Sequence, residues 1–158
     1  MSFKNILCFG TLNPDLIYFV DELPNKGDDI RSLNSSIRPG GTAINCSELI
    51  SLWGKSVHVR GNSIGSDPMG KYLVDYLKEN NINFDGLIIN QSLTPTCSIF
   101  VDSSGERTIV SSGYEGLEWS NFENLNNFDS LIIDRYSIKF IKDKLKDLKK
   151  DNNLFVCQ

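Results

Sequence analysis

Short apolar runs alternate with segments of helical period along this chain. Ile6-Leu7-Cys8-Phe9 is continuously apolar and closed by Gly10, the pattern of a strand covered on both faces. After Gly41 the period changes. Cys46, Leu49, Ile50 and Trp53 fall at i, i+3, i+4 and i+7, which predicts a helix with those four on its inner face and Ser47, Glu48 and Ser51 outside. Gly54 ends it as a left-handed cap. Ser56 to Arg60 reads as the next strand. Asp67 then caps a second helix, Pro68 suits its first turn, and Met69, Tyr72, Leu73, Tyr76 and Leu77 form its apolar stripe. Leu87-Ile88-Ile89 and Leu131-Ile132-Ile133 are two further buried strands. Ile138, Ile141, Leu145 and Leu148 mark a long helix between Ser137 and Lys149 with a solvated Lys/Asp face, and Leu154-Phe155-Val156-Cys157 is a last strand. Strand–helix alternation of this kind predicts an α/β layer with a largely parallel sheet.

Two regions, about 14–37 and 94–111, hold strand-like runs with no helix between them. Leu16 to Val20 is apolar at odd and even positions alike, so both faces of that strand should be covered. Thr96 to Val101 and Arg107 to Val110, joined through Ser103-Ser104-Gly105, read as a hairpin. Together they predict a small β-sheet flap standing off the α/β layer. A ligand site on one face and a partner subunit on the other would cover it. Packing wholly on its own domain is the other option, and the pattern does not choose between them.

Composition narrows the classes. The chain has 158 residues, 40% hydrophobic, with Lys+Arg 16 against Asp+Glu 20 and a formal net charge of -4. That is enough for one sizeable core, and it lacks the basic balance of a general nucleic-acid binder or a protein held on acidic lipid. Leu16 to Val20 is the longest wholly apolar run, far short of the roughly 20 residues of a membrane helix, and the N-terminus lacks a signal-peptide core. The expectation is a cytoplasmic protein. Cys8, Cys46, Cys97 and Cys157 are too widely spaced for a zinc site and are expected as buried, reduced thiols. His58, in an alternating run, reads as a strand residue facing solvent or a neighbouring layer. A zinc enzyme or a Ser-His-Asp hydrolase is therefore disfavoured.

Three glycine segments invite a chemical reading. Gly54-Lys55-Ser56 resembles the end of a P-loop but ends a helix, and Leu49 stands where that motif needs glycine. Gly10-Thr11-Leu12-Asn13 carries no dinucleotide fingerprint. Arg38-Pro39-Gly40-Gly41-Thr42-Ala43-Ile44-Asn45 is more informative. Two glycines open a helix, where free N–H groups point outward and a polar ligand can approach the backbone closely. Asn45 offers a donor and an acceptor to a diol. Asn13 and Asp15, just after the first strand, should share the strand-end crevice where open α/β sheets place ligands. A carboxylate facing vicinal hydroxyls beside a carboxamide suits a sugar. Read alone, the glycine pair also fits a tight turn and Asn45 a capping residue.

In order along the chain stand Asn13-Pro14-Asp15, Gly40-Gly41-Thr42-Ala43-Ile44-Asn45, Gly65-Ser66-Asp67-Pro68-Met69-Gly70 and Ser103-Ser104-Gly105-Glu106-Arg107-Thr108. Together they resemble the ribokinase-like (PfkB) family of carbohydrate kinases over essentially the whole chain. The stretch from Asp28 to Gly54 also resembles ketohexokinases. The resemblance implies a three-layer α/β/α sandwich with a small β-sheet lid formed by the two irregular regions. It implies phosphoryl transfer from ATP, with magnesium, to a primary hydroxyl of a sugar or sugar-like alcohol. By that likeness Asp15, Gly41 and Asn45 bind the substrate hydroxyls, Asn13 and Gly40 support them, and the lid closes over the sugar to exclude water. Thr42 departs from the pattern, since ribokinases tend to have Lys there and ketohexokinases Asn, so the sugar stays open. Arg135 is expected in a surface salt bridge, with nucleotide phosphate as the alternative, and Arg107 as a residue holding the hairpin.

The family's catalytic segment, G-A-G-D, has a helix N-terminus that stabilises the developing phosphate charge and an Asp that takes the hydroxyl proton. It does not occur in these 158 residues. Asp67 reads as a helix cap and no Asp is assigned as general base. The expectation is the N-terminal, substrate-binding part of a sugar kinase, with the C-terminal part of the fold missing, an exposed sheet edge at the last strand and negligible turnover by itself. The alternatives are a non-catalytic sugar-binding or dimerising module complete as it stands, and a Rossmann-like nucleotide-binding protein. A homodimer through the lid is a further expectation.

Overall fold

The computed structural model describes residues 5–144 and the backbone of 153–157. Along the chain run β1 (Asn5–Gly10), β2 (Asn13–Phe19), β3 (Asn34–Gly40), α1 (Thr42–Leu52), β4 (Ser56–Gly61), β5 (Ile64–Gly65), α2 (Pro68–Glu79), β6 (Ile89–Asn90), β7 (Thr96–Val101), β8 (Arg107–Ser112), β9 (Ser130–Asp134), α3 (Ile138–Ile141) and β10 (Asn153–Cys157).

The body is a parallel sheet in the order β10-β9-β1-β4. Because successive strand residues point to opposite faces, β1 feeds two cores. Ile6 and Cys8 join Val57, Val59, Ile44, Ile50, Leu73 and Leu77 beneath α1 and α2. Leu7 and Phe9 join Leu131, Ile133, Ile141 and the Phe122, Leu125 and Phe128 segment on the other side. A strand buried on both faces must be apolar throughout, and β1 and β9 nearly are.

A second sheet, in the order β3-β2-β7-β8, is built from the two irregular regions. The β7–β8 hairpin is antiparallel, as predicted, and β2 lies antiparallel to β3 and parallel to β7. Every residue of β7 is half-buried and every residue of β8 is exposed. The flap therefore does not pack wholly on its own domain.

Three expectations need correction. In α1 the buried residues are Ala43, Ile44, Ser47 and Ile50, while Leu49, Leu52 and Trp53 are 48%, 72% and 68% exposed. The helix is rotated from its predicted face because Thr11 anchors its first turn, and small residues at 43 and 47 let it sit close to the sheet. Leu87-Ile88-Ile89 is not a strand of the body. Only Ile89–Asn90 pair, with β5, in a separate two-stranded sheet, and Ile89 is exposed. The polar turns at Asp85-Gly86 and Gln91-Ser92 leave too short a run to enter the main sheet. Finally, Cys8 is buried, but Cys46 and Cys97 are only half-buried. Cys157 has its side chain outside the described residues, as do Leu145 and Leu148 of the predicted long helix, of which Ile138–Ile141 is seen as α3. Among the described residues no helix is long and apolar enough to cross a membrane.

Candidate sugar site

The crevice lies where β1 and β9 end and the chain crosses into the flap. Leaving β1, Thr11 donates its backbone N–H (2.7 Å) and its hydroxyl (3.0 Å) to Asp134 Oδ2, at the end of β9. Asp134 is 2% exposed, and its Oδ1 accepts from the Ser137 N–H at 2.7 Å. A Cβ on Gly10 would lie 2.6 Å from Asp134 Oδ2, so only glycine admits the carboxylate there. The next residue, Leu12, is held from β4's end. Asn62, fully buried, accepts from Leu12 N at 2.8 Å and donates to Leu12 O at 3.0 Å. Two buried polar side chains thus fix the turn that aims β2.

Asn13 and Asp15 follow on β2. Asn13 is 2% exposed, and its Nδ2 donates to Asp15 Oδ1 at 2.7 Å and to Pro14 O at 3.3 Å. Its Oδ1 accepts from the Tyr114 hydroxyl at 2.8 Å. Burial raises the Asp15 carboxyl above its ordinary value, and the Asn13 hydrogen bond only partly offsets this. Gly40 pairs with Asn13 across β2–β3, and a Cβ there would stand 2.3 Å from Asp15 Oδ2. Gly41, the N-cap of α1, has φ +85°, and a Cβ on it would meet Thr11 O at 2.2 Å. The double glycine is thus required twice, once to admit a carboxylate and once for a left-handed turn against backbone.

The structure brings Asn13, Asp15, Gly40 and Gly41 together. Asn45 stands one helical turn on, exposed, its N–H bonded to Gly41 O at 3.1 Å. The helix start differs from expectation in one respect. The N–H of Ala43 donates to Thr11 O at 3.2 Å and that of Thr42 to Thr11 Oγ1 at 3.3 Å, so neither is free for a ligand. The turn leaving β1 caps the helix in place of a side chain of its own.

The Gly65–Gly70 motif is structural. Asp67 Oδ1 accepts from Gly70 N (2.8 Å) and the Thr94 hydroxyl (2.7 Å), and Oδ2 from Thr94 N (2.8 Å). Burial opposes its ionisation, but these donors outweigh it and hold the carboxyl below its ordinary value. A Cβ on Gly70 would meet Gly65 O at 1.8 Å. The motif therefore clamps the start of α2 to residue 94, at the root of β7.

Sequence reasoning missed Asp134, Asn62, Thr94 and Tyr114. Asp134 had a signal, as the polar residue ending an apolar strand at the ligand-bearing edge of the sheet. Tyr114 had none, since its partner is 101 residues away. Arg135 makes no ion pair with another described residue. Among the described residues it donates to Tyr136 Oη at 2.6 Å and stacks over that ring at 4.6 Å. Arg107 is exposed in β8, opposite Val101. His58 is half-buried against Phe128, ring centroids 5.1 Å apart.

Comparison with known proteins agrees with this geometry. The model of the pfkB family carbohydrate kinases matches residues 4–152. A ribokinase of Dictyostelium discoideum is 29% identical over 108 residues, 68% of this chain and 34% of its own length. A ketohexokinase of Mus musculus is 31% identical over 112 residues, 70% of this chain and 37% of its own length. The chain thus matches about a third of each of these relatives. Arabidopsis thaliana ribokinase, solved with ribose and ATP, superposes with TM-score 0.78 and 18% identity over 99% of this chain and 53% of that one, a likeness of fold.

Proposed function

The chain belongs to the pfkB family of carbohydrate kinases, and from that premise we propose that the whole protein transfers phosphate from ATP to a primary hydroxyl of a sugar or sugar-like alcohol. This chain supplies the sugar site and the lid. The carrying observation is Asp15. Its carboxylate is half-buried and lies with both oxygens against the Cβ-less edge of Gly40; Oδ1 is engaged by Asn13, and among the described residues Oδ2 accepts no hydrogen bond. A half-desolvated carboxylate with an unclaimed oxygen is a strong acceptor for sugar hydroxyls. Gly41 seats the start of α1 against Thr11 beside this carboxylate, and Asn45 adds a carboxamide one turn further on. The flap strands β2, β3, β7 and β8 form the lid, which closes over the sugar and keeps water from competing with it.

ATP and magnesium are implied by the family; ATP would supply the phosphoryl group. The described residues bring no three His, Cys, Asp or Glu side chains together. No step here is routed through a magnesium–nucleotide. Nor does the chain carry the G-A-G-D segment, so none of its residues is assigned as general base.

We also infer that a second copy covers the outer face of the lid. Leu16, Tyr18, Phe100, Ile37 and Val110 share that face by strand register, opposite to the face of Asp15, and Ile37 and Val110 are about half exposed. Light scattering should show a dimer, and monomer alone at high concentration would remove this inference.

Calorimetric titration of the chain with D-ribose, D-fructose and adenosine tests the main reading. We expect one of them to bind and Asp15→Asn to abolish that binding. No heat with any of the three would overturn it.

A further inference from the structure

Tyr114 lies at the root of the lid, and its hydroxyl reaches the first residues of β2 and β7. Gly113 has φ +79°, and a Cβ there would come within 3.2 Å of Pro95 Cα. That turn folds the chain leaving β8 back across the start of β7. The Tyr114 hydroxyl arrives 2.8 Å from Asn13 Oδ1 and 3.7 Å from Cys97 Sγ.

The chemistry of the chain Tyr114–Asn13–Asp15 fixes its direction. A carboxylate only accepts, so the amide edge turned toward Asp15 must be the NH2. The carbonyl edge then faces the other way, nearly buried, and needs a donor of its own. Tyr114 is that donor. Burial, then the Cys97 contact, raise its hydroxyl well above the ordinary tyrosine value, so it keeps its proton throughout the working range. With Nδ2 engaged by Asp15 and Pro14, Asn13 has no amide proton to spare for a ligand.

We propose that Tyr114 is a positioning residue of the sugar site, whose hydroxyl locks the Asn13 carboxamide so that Asp15 is held by one oxygen and presents the other to substrate. The proposal rests on the reading of Asp15 as the acceptor of sugar hydroxyls. Without the phenol hydroxyl, Asn13 Oδ1 becomes a buried acceptor with no donor, a costly state that amide rotation or an entering water relieves. Either change loosens the grip on Asp15.

The test is Tyr114→Phe in this chain, titrated with D-ribose, D-fructose and adenosine separately. Whichever ligand binds wild type should bind the variant about 5–10-fold more weakly, the loss of one well-placed hydrogen bond. Asn13→Ala should weaken binding too, and adding Tyr114→Phe to it should cost nothing further. A merely structural tyrosine would not move the pH profile, and this one should. Asp15 is faced by Asn13 on its own strand, Arg38 on β3, Cys97 on β7 and the Tyr114 hydroxyl, with Asp134 across the crevice. Binding fails as pH falls and Asp15 takes up a proton. Losing the Asn13 hydrogen bond raises that carboxyl further, so the acid limb of binding should move to higher pH in Tyr114→Phe.

A folded Tyr114→Phe that binds with wild-type affinity and an unmoved acid limb overturns the proposal. Failure of the sugar reading looks different: no ligand binds wild type, or Asp15→Asn binds as well as wild type. In that event the proposal falls with it. Should the variant not fold, the Tyr114 hydroxyl proton is sought by NMR in the ligand-binding wild type. A slowly exchanging signal with a cross-relaxation contact to Asn13 supports the proposal, and its absence overturns it.

Discussion

The two four-stranded sheets of this protein are made of similar residues and buried to different depths. In the body, β1 spends Ile6 and Cys8 on one core and Leu7 and Phe9 on the other, and Leu131 and Ile133 of β9 are fully buried. In the lid, β2 is equally apolar from Leu16 to Phe19, yet each of those residues is half-buried or exposed. The difference is in what lies above each sheet. Helices cover one face of the body and the segment around Phe122–Phe128 the other. Nothing among the described residues covers β8. Tyr18 and Phe100 stack at 5.4 Å and shield each other, while Ile37, Ile109 and Val110 remain about half exposed. By strand register Ile37 and Val110 lie on the outer face and Ile109 on the face of Asp15, and half-exposed apolar positions on the outer face fit the second copy proposed there. The body's apolar residues make the fold, and those of the lid are surplus to it.

The sharpest way to break this contrast is to shorten one side chain in each sheet. Leu131→Ala removes a fully buried side chain from the body core. We expect it to cost about 3–5 kcal/mol in urea unfolding. Ile109→Ala, in exposed β8, should cost under about 1 kcal/mol. Comparable losses would mean that the lid is part of the core and that its apolar faces need no partner. Amide exchange should sharpen the same point, with β7 and β8 opening well below the global unfolding free energy.

The joint between the sheets comes next in size. Asp67 ties the start of α2 to Thr94, where the chain enters the lid. Asp67→Ala removes a helix cap and two hydrogen bonds to Thr94, and about 1–2 kcal/mol should go with them. The folded carboxyl is held below the ordinary value of 3.8. Its contribution is thus complete above that value and is lost as pH falls through the lower, folded one. The acid side of the wild-type stability profile should accordingly flatten in the variant. An unchanged profile would show that the Asp67 carboxylate stabilises neither the start of α2 nor its tie to Thr94.

How much of this was legible in the sequence follows the same division. Strands such as Ile6–Phe9 and Leu131–Ile133, covered on both faces, announce themselves by unbroken apolarity. The Asp67-Pro68 start of α2 is local chemistry, and so is the left-handed Gly54. The face of α1 was misjudged because its orientation is set by Thr11, 31 residues before the helix starts, and not by its own period. Ser47 is buried and Trp53 exposed against any hydrophobicity scale. Ile88-Ile89 misled for a related reason, since an apolar triplet says nothing about which sheet it joins. In the site, Asn13, Asp15 and the double glycine stood out through their resemblance to a family. Asn62, Asp134 and Tyr114 act through contacts 50, 123 and 101 residues away and leave no local pattern.

The smallest effect on stability is expected at Asp15, the residue proposed to accept the sugar hydroxyls. Burial raises the Asp15 carboxyl above 3.8 despite the hydrogen bond from Asn13. A raised carboxyl binds its proton more tightly in the folded state than in the unfolded one. Stability therefore falls as pH rises from the ordinary aspartate value through the raised one, and the penalty is complete at neutral pH. Asn at this position keeps the acceptor for Asn13 and carries no charge to desolvate. Asp15→Asn should melt slightly higher than wild type at neutral pH, and the gap should close as pH falls below the ordinary value and both states of the wild type become protonated. Sugar binding should be lost in the same variant. A charge kept in the crevice at a small cost to the fold is what a substrate ligand looks like, and a merely structural carboxylate would behave oppositely. A variant less stable than wild type at neutral pH, by a gap that pH does not change, would place Asp15 with the residues that build the lid and not with those that use it.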